Sequence, residues 1–487
     1  MQDDNSDRTT GETAEETTER KGIPNPVTEL VNSFKALKDA PRGFWYTNYA
    51  YWLDGVSYFG MLILLTMFFH DVAELSDDTG HKLVSIYTGL ISGSMLVFGP
   101  VSDRLGVRRS LLISVILYII GRAALPLIPD FFPPGSVPLV VFCVIALVVA
   151  AAGNGFMQPS CYAGVRRFTD EKTAAMGYGL LYAGMNLGIV VIGLISPRIR
   201  TGFHIKGLID FDGFGIEGVF WFCVFVNVLM LLGLVFFFTS RVEREAAQAG
   251  GETHDEKEKR ERAGRQLTKD PMGAIVDWFR GNPVSNPRFM FFIFVLVPVQ
   301  TLFAYQWLVL PQYVTRAFSE IVANNMESIV NIANPLIIVL GVPIITAITR
   351  RVPVYWMMII GSLVSALPTF LFVIGPRFPL LMTYIIIFSI GEAMWQPRFL
   401  QFAAELAPKG KTGAYIAYAH IPWFLVKTLC GLYTGLMMER YCPAEGPLHT
   451  ETMWLIYGFI ALTSPVGLIL AKNWVRKGLD TKSAGEE

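Results

Sequence analysis

Charge is scarce in this sequence. Asp, Glu, Lys and Arg make up 16% of its 487 residues while hydrophobic residues reach 52%, a balance outside the usual range of soluble domains. The 40 acidic and 40 basic residues cancel, so nothing argues for a nucleic-acid partner. Of five cysteines, four (Cys143, Cys161, Cys223, Cys430) fall in apolar runs and only Cys442 lies outside one; no disulfide framework is expected. The phosphate-binding pattern G-x-x-x-x-G-K-[ST] does not occur, which argues against ATP-driven transport by this chain alone. No metal-ligand cluster or nucleophile–base pair stands at a recognisable spacing, so an enzyme is the least favoured class and no cofactor is expected. Residues 1–44 have no basic start, short apolar core and small-residue cleavage site; acidic and Thr-rich, they are expected to form a disordered cytoplasmic tail.

Long apolar runs are what the sequence has in plenty. Stretches of about 20 apolar residues occur twelve times, near 45–69, 83–102, 109–129, 137–158, 174–197, 216–239, 288–310, 324–348, 353–374, 379–402, 412–437 and 451–472. Thirty of the forty Lys and Arg fall in the two tails and the even-to-odd connections, against seven in the odd-to-even ones. The positive-inside bias then places both termini in the cytoplasm of a multi-pass cell-membrane protein. The longest hydrophilic interior stretch separates six runs from six. The expected organisation is a bundle over 45–240, a charged cytoplasmic linker over 241–286 too polar to bury anything, a second bundle over 287–474 and a tail over 475–487. Pro271–Arg280 reads equally as a short interfacial helix or a linker turn. The fold class is thus all-α, twelve membrane helices in two six-helix bundles.

After the second run stands Gly99-Pro-Val-Ser-Asp103-Arg104-Leu-Gly106-Val-Arg108-Arg109. Its glycines allow a tight turn, and its acid and arginines can form a charged network. The segment resembles the G-x-x-x-D-R-x-G-R-R/K signature of the major facilitator superfamily. The resemblance implies that fold, and a gating role for Asp103, Arg104, Arg108 and Arg109; a plain positive-inside cap is the simpler alternative.

Four further segments resemble the proton-dependent oligopeptide transporter family: Asp54-Gly-Val-Ser-Tyr58-Phe-Gly-Met, Leu181-Tyr182-Ala-Gly-Met-Asn186-Leu-Gly188, Asn334-Pro335-Leu-Ile-Ile, and Gly391-Glu392 with Pro397 and Leu406-Ala407-Pro408. The departures matter as much. Where that family has E-x-x-E-R, this chain reads Tyr51, Trp52, Leu53, Asp54, Gly55; its fourth-run lysine before proline is Gln158, and its seventh-run acid is missing. Neither dipeptide specificity nor the family's usual proton route carries across.

Polar residues at helical spacing sketch a cavity. Glu392 lies mid-run, where a charge costs about 2.5–3.5 kcal/mol on the lenient insertion scale and usually faces a cavity or a partner. Tyr51, Asp54 and Tyr58 share one face of the first run, Asn154 and Gln158 of the fourth, Tyr182 and Asn186 of the fifth, and Asn331 and Asn334 of the eighth. Gln300, Phe303 and Trp307 line up on the seventh, and Trp395 and Gln396 stand beside Glu392. His420 and Lys427 fall on one face of the eleventh. Glu392 and Lys427 read either as a substrate and coupling-proton site, with Asp54 or Glu392 taking the proton, or as a permanent structural ion pair. His420 reads as a hydrogen-bonded helix histidine or as a relay. Arg122 is expected to snorkel or pair near the external end of the third run. Gly89/Gly93, Gly184/Gly188 and Gly431/Gly435 are expected to be helix-packing surfaces.

The functional expectation is a monomeric secondary transporter of a small polar, amino-acid- or peptide-like solute, zwitterionic or anionic, with proton symport as the preferred coupling and the bilayer as its surroundings. The rivals are a proton-driven exporter of amphiphiles and a non-transporting membrane sensor or scaffold.

Overall fold

The computed structural model describes residues 40–169, 174–205, 209–249, 287–349, 352–405, 419 and 421–483. Helices α1 (Arg42–Val72), α2 (Asp77–Leu105), α3 (Val107–Phe131), α4 (Val137–Phe168), α5 (Ala174–Thr201) and α6 (Gly215–Phe236) form the first bundle. Helices α7 (Pro287–Leu308), α8 (Met326–Thr349), α9 (Val354–Ile374), α10 (Phe378–Glu405), α11 (Ile421–Tyr441) and α12 (Thr450–Ser483) form the second. Among the described residues, ten segments are long and apolar enough to cross a membrane; α2 and α8 stand at the places of the other two apolar runs. The chain is a multi-pass membrane protein.

Local signals set the boundaries. Ser76 caps α2 by accepting from the Thr79 N–H, with Asp77 and Asp78 in the first turn where the helix dipole favours acids. Ser136 caps α4, followed by Pro138 in its first turn. Between α2 and α3 the chain turns at Gly106, whose φ of 83° suits glycine.

The bundles meet along two seams, α5 against α8 and α2 against α11. Glycines make the second seam close: a Cβ on Gly431 would come within 2.1 Å of Ser85 Oγ, one on Gly435 within 2.4 Å of Asp78 Cα, and one on Gly89 within 2.3 Å of Thr428 Oγ1. Gly188 does the same inside the first bundle, against the Trp52 carbonyl. Gly93 has nothing within 4 Å, so that glycine is no packing surface.

One expectation gains a detail here and one is corrected. In the otherwise helical fold, Phe203–Ile205 pairs antiparallel with Ile209–Phe211 between α5 and α6, where the alternating sequence FHIKGLIDF flanks a glycine. The start of the linker also buries side chains. Ser240–Ala249 is a helix with Ala246 and Ala247 buried, and a Cβ on Gly43 would meet that of Ala246 at 2.7 Å. Glu243 fixes it, accepting from the Arg108 N–H at 3.4 Å and from Arg167 at 3.2 Å. Small alanines on one face of an otherwise charged helix gave too little hydrophobicity to show. Pro271–Arg280 lies outside the described residues.

Candidate functional site

Between the bundles lies a cavity of about 310 Å³, near the lower end of small-ligand pockets. The first bundle contributes Tyr51, Asp54, Tyr58, Gln158, Tyr182 and Asn186 to its wall, and the second contributes Trp307, Asn331, Asn334, Glu392, Gln396 and Lys427. Twelve of the sixteen expected binding residues therefore converge on one space.

Three do not. Asn154 is buried off the wall, because Gly153 and Gly155 press α4 against Tyr118 and Ser94 on its neighbours. Gln300 shares the azimuth of Trp307 but stands about 10 Å from it along the axis, where it is fully buried. Trp395 turns away from the cavity and packs its ring on Phe303 and Phe399. His420 lies outside the described residues. Tyr162, Gln306, Phe388 and Trp423 also line the wall. Three of these were findable, each one helical turn from a named residue: Tyr162 from Gln158, Phe388 from Glu392 and Trp423 from Lys427.

The charged groups fall into three settings. Glu392, 7% exposed, accepts from Asn334 Nδ2 at 2.8 Å, and the same amide donates to Ser389 Oγ at 2.9 Å. No cation stands within 4.0 Å of it among the described residues. Lys427 faces the same cavity, its ammonium 6.0 Å from the centre of the Trp423 ring and with no acid at ion-pair distance among the described residues. The two are thus cavity neighbours and not a structural ion pair. Asp54 is different: Arg122 Nη2 stands 3.3 Å from its carboxylate.

Arg122 meets the second of its two expectations, pairing. It does not snorkel; it is 1% exposed, donates to Ser57 at 2.6 Å and Asn227 at 3.2 Å, and lies 3.7 Å over the Tyr118 ring. Burial of an arginine on this scale needs a partner acid, and Asp54 supplies it.

Beyond one end of the cavity, ion pairs join the bundles. Arg316 binds Asp77 through contacts of 2.5 and 2.9 Å, and Gln312 donates to the same carboxylate at 2.8 Å. His81 donates from Nε2 to Gln312 Oε1 at 2.6 Å, which leaves Nδ1 to accept from Thr434 at 2.9 Å. Arg200 meets Glu327 at 2.5 and 2.9 Å, with Ser196 donating to the same carboxylate. Burial pushes the Asp77 carboxyl up, but the hydrogen bonds and charge of Arg316 outweigh it and hold the group below its usual range.

At the opposite end, Arg108 donates to the Phe238 carbonyl and Arg109 is exposed. Of Asp103 and Arg104 the structure shows only that they lie in the last turn of α2.

Residues 47–429 match the Major Facilitator Superfamily. The chain belongs to that superfamily. An uncharacterized MFS-type transporter, YttB of Bacillus subtilis, is 19% identical over 388 residues, covering 78% of this chain and 84% of that protein. The di-/tripeptide transporter of Lactobacillus helveticus is 30% identical over 155 residues, spanning 30% of this chain and 29% of that one. Among solved structures, a POT family transporter in complex with 5-aminolevulinic acid superposes with a TM-score of 0.66 at 17% identity, covering 89% of this chain and 97% of the other. A peptide transporter POT in complex with sulfate gives 0.67 at 17% identity, covering 90% and 96%. This superfamily member therefore has the fold of the oligopeptide transporters, and the relatives it matches are transporters, not enzymes.

Proposed function

We propose that the protein is a twelve-span, proton-coupled secondary transporter of a small zwitterionic, peptide-like solute, working as a monomer in the cell membrane with both termini in the cytoplasm. One observation carries the reading: a single small cavity holds an acid and a cation, Glu392 and Lys427, that neutralise neither each other nor any other described group. A solute with its own ammonium and carboxylate satisfies both, and removes the cost of two lone charges at membrane depth. Relatives described as di-/tripeptide transporters support peptide-like chemistry.

Glu392 is the better proton carrier of the two membrane acids, since Arg122 holds Asp54 as its counter-ion. The coupling proton is its partner when the ammonium of the solute is absent. Alternating access follows from rocking the bundles about the cavity, opening the Asp77–Arg316 and Arg200–Glu327 end as the other closes.

The test is uptake of labelled Gly-Gly and Gly-Gly-Gly into proteoliposomes with an inward pH gradient. Gradient-stimulated uptake that Glu392→Gln abolishes is expected; unchanged uptake in that variant sinks the proton role. A second reading, proton-driven export of amphiphiles, is favoured by the cavity's aromatic walls, among them Phe59, Tyr162, Phe303 and Phe388. Competition by apolar cations but not by peptides selects it.

A further inference from the structure

Glu392 and Lys427 share a cavity without meeting, and one side chain touches both of the helices that carry them. Phe303 of α7 is 6% exposed and lines the cavity. Its ring centre lies 5.0 Å from that of Phe388 and 5.8 Å from that of Trp395, which stand one turn before and one turn after Glu392. On its other side it lies 5.3 Å from the ring of Trp423, one turn before Lys427. The lysine stem is flexible and its charge compact, and opposite charges attract strongly away from bulk water. With the space between them open, the ammonium would swing towards the Glu392 carboxylate and shorten the gap that a ligand has to bridge.

We propose that Phe303 is a spacer: it keeps Glu392 and Lys427 from neutralising each other, and its width sets the separation of ammonium and carboxylate that a solute must have to bridge them. This rests on the zwitterion reading of the cavity. Phe303 acts by holding two binding groups apart, so it decides which zwitterion fits rather than whether one binds.

The experiment uses a ruler of ligands. Glycine, β-alanine, γ-aminobutyrate, 5-aminovalerate, Gly-Gly and Gly-Gly-Gly are titrated onto the purified full-length protein, reading binding by calorimetry, for wild type and for Phe303→Ala, Phe303→Leu and Phe303→Trp. The spacer predicts that the preferred length shortens by at least one methylene in the alanine and leucine variants and lengthens in the tryptophan variant. In Phe303→Ala the longest ligands should lose at least tenfold more affinity than the shortest. If alanine does not give a folded protein, the leucine and tryptophan variants carry the comparison. An unchanged length preference, even with all affinities weakened by one common factor, overturns the spacer and leaves the zwitterion reading standing. That reading has its own arm: if Glu392→Gln and Lys427→Gln both leave binding of every ligand unchanged, it falls, and the spacer falls with it.

Discussion

Arg122 reaches across from the third helix to the carboxylate of Asp54 on the first, 3.3 Å away, and ties it to Ser57 and Asn227 in one buried cluster. Asp54 lines the cavity and Arg122 is buried behind it, so one of the two membrane acids there has its counter-ion within the protein while Glu392 has none among the described residues.

Removing one partner of a buried pair strands the other. Arg122→Gln should destabilise the protein by about 3–5 kcal/mol, seen as a lowered unfolding temperature in detergent. Adding Asp54→Asn should recover a large part of that loss. A double variant as unstable as the sum of the singles would show that the two groups do not depend on each other.

Asn334 orients Glu392 through a 2.8 Å bond, and hydrogen bonds to charged groups are worth about 1.5–3 kcal/mol. Asn334→Ala should weaken half-saturation for transport by about ten- to a hundredfold, while Asn334→Ser recovers part of it. Transport kinetics at saturating and limiting peptide would separate a loss of binding from a loss of turnover.

Two arginine–acid pairs join the bundles, each with its arginine on a different bundle: Arg316 to Asp77 and Arg200 to Glu327. Arg200→Gln and Arg316→Gln should each raise the labelling rate of a cysteine placed at Asn331, and the double variant more than either. Labelling that stays at the wild-type rate in all three would show that the pairs do not hold the cavity shut.

The Asp77 carboxyl is held below its usual range, which fixes the sign of its pH response. A depressed folded-state value adds stability that is present above the unfolded value, near 3.9, and is lost as pH falls through the folded one. Without Arg316 burial is left to push this carboxyl up, so the stability difference between wild type and Arg316→Gln should begin to shrink at a pH above the ordinary carboxylate value, as the variant's Asp77 protonates, and go on shrinking through the depressed wild-type value. A difference that disappears between pH 7 and 6 would assign the effect to a histidine instead.

Much of this was legible in the sequence because membrane depth makes polar residues expensive, so those that persist at helical spacing mark a shared face. Tyr51, Asp54 and Tyr58, or Asn331 and Asn334, needed only that rule. Where it failed, the missing quantity was depth or packing. Gln300 has the right azimuth for the cavity and the wrong height, and Trp395 has a neighbour in Phe303 that takes its ring. Arg122 sits near the end of an apolar run, where snorkelling is the usual solution; only the fold brings Asp54 beside it. The docked Ser240–Ala249 helix hides for the opposite reason, since its buried face is two alanines in a segment dense with charge.

That docked helix changes what moves. Held by Glu243 and by its contact with Gly43, Ser240–Ala249 is a fixed handle on the first bundle, so the first ten residues of the stretch between the halves belong to that bundle. Extra sequence inserted at Ser240 would pry the handle off the first bundle and strand the Glu243 carboxylate away from Arg108 and Arg167.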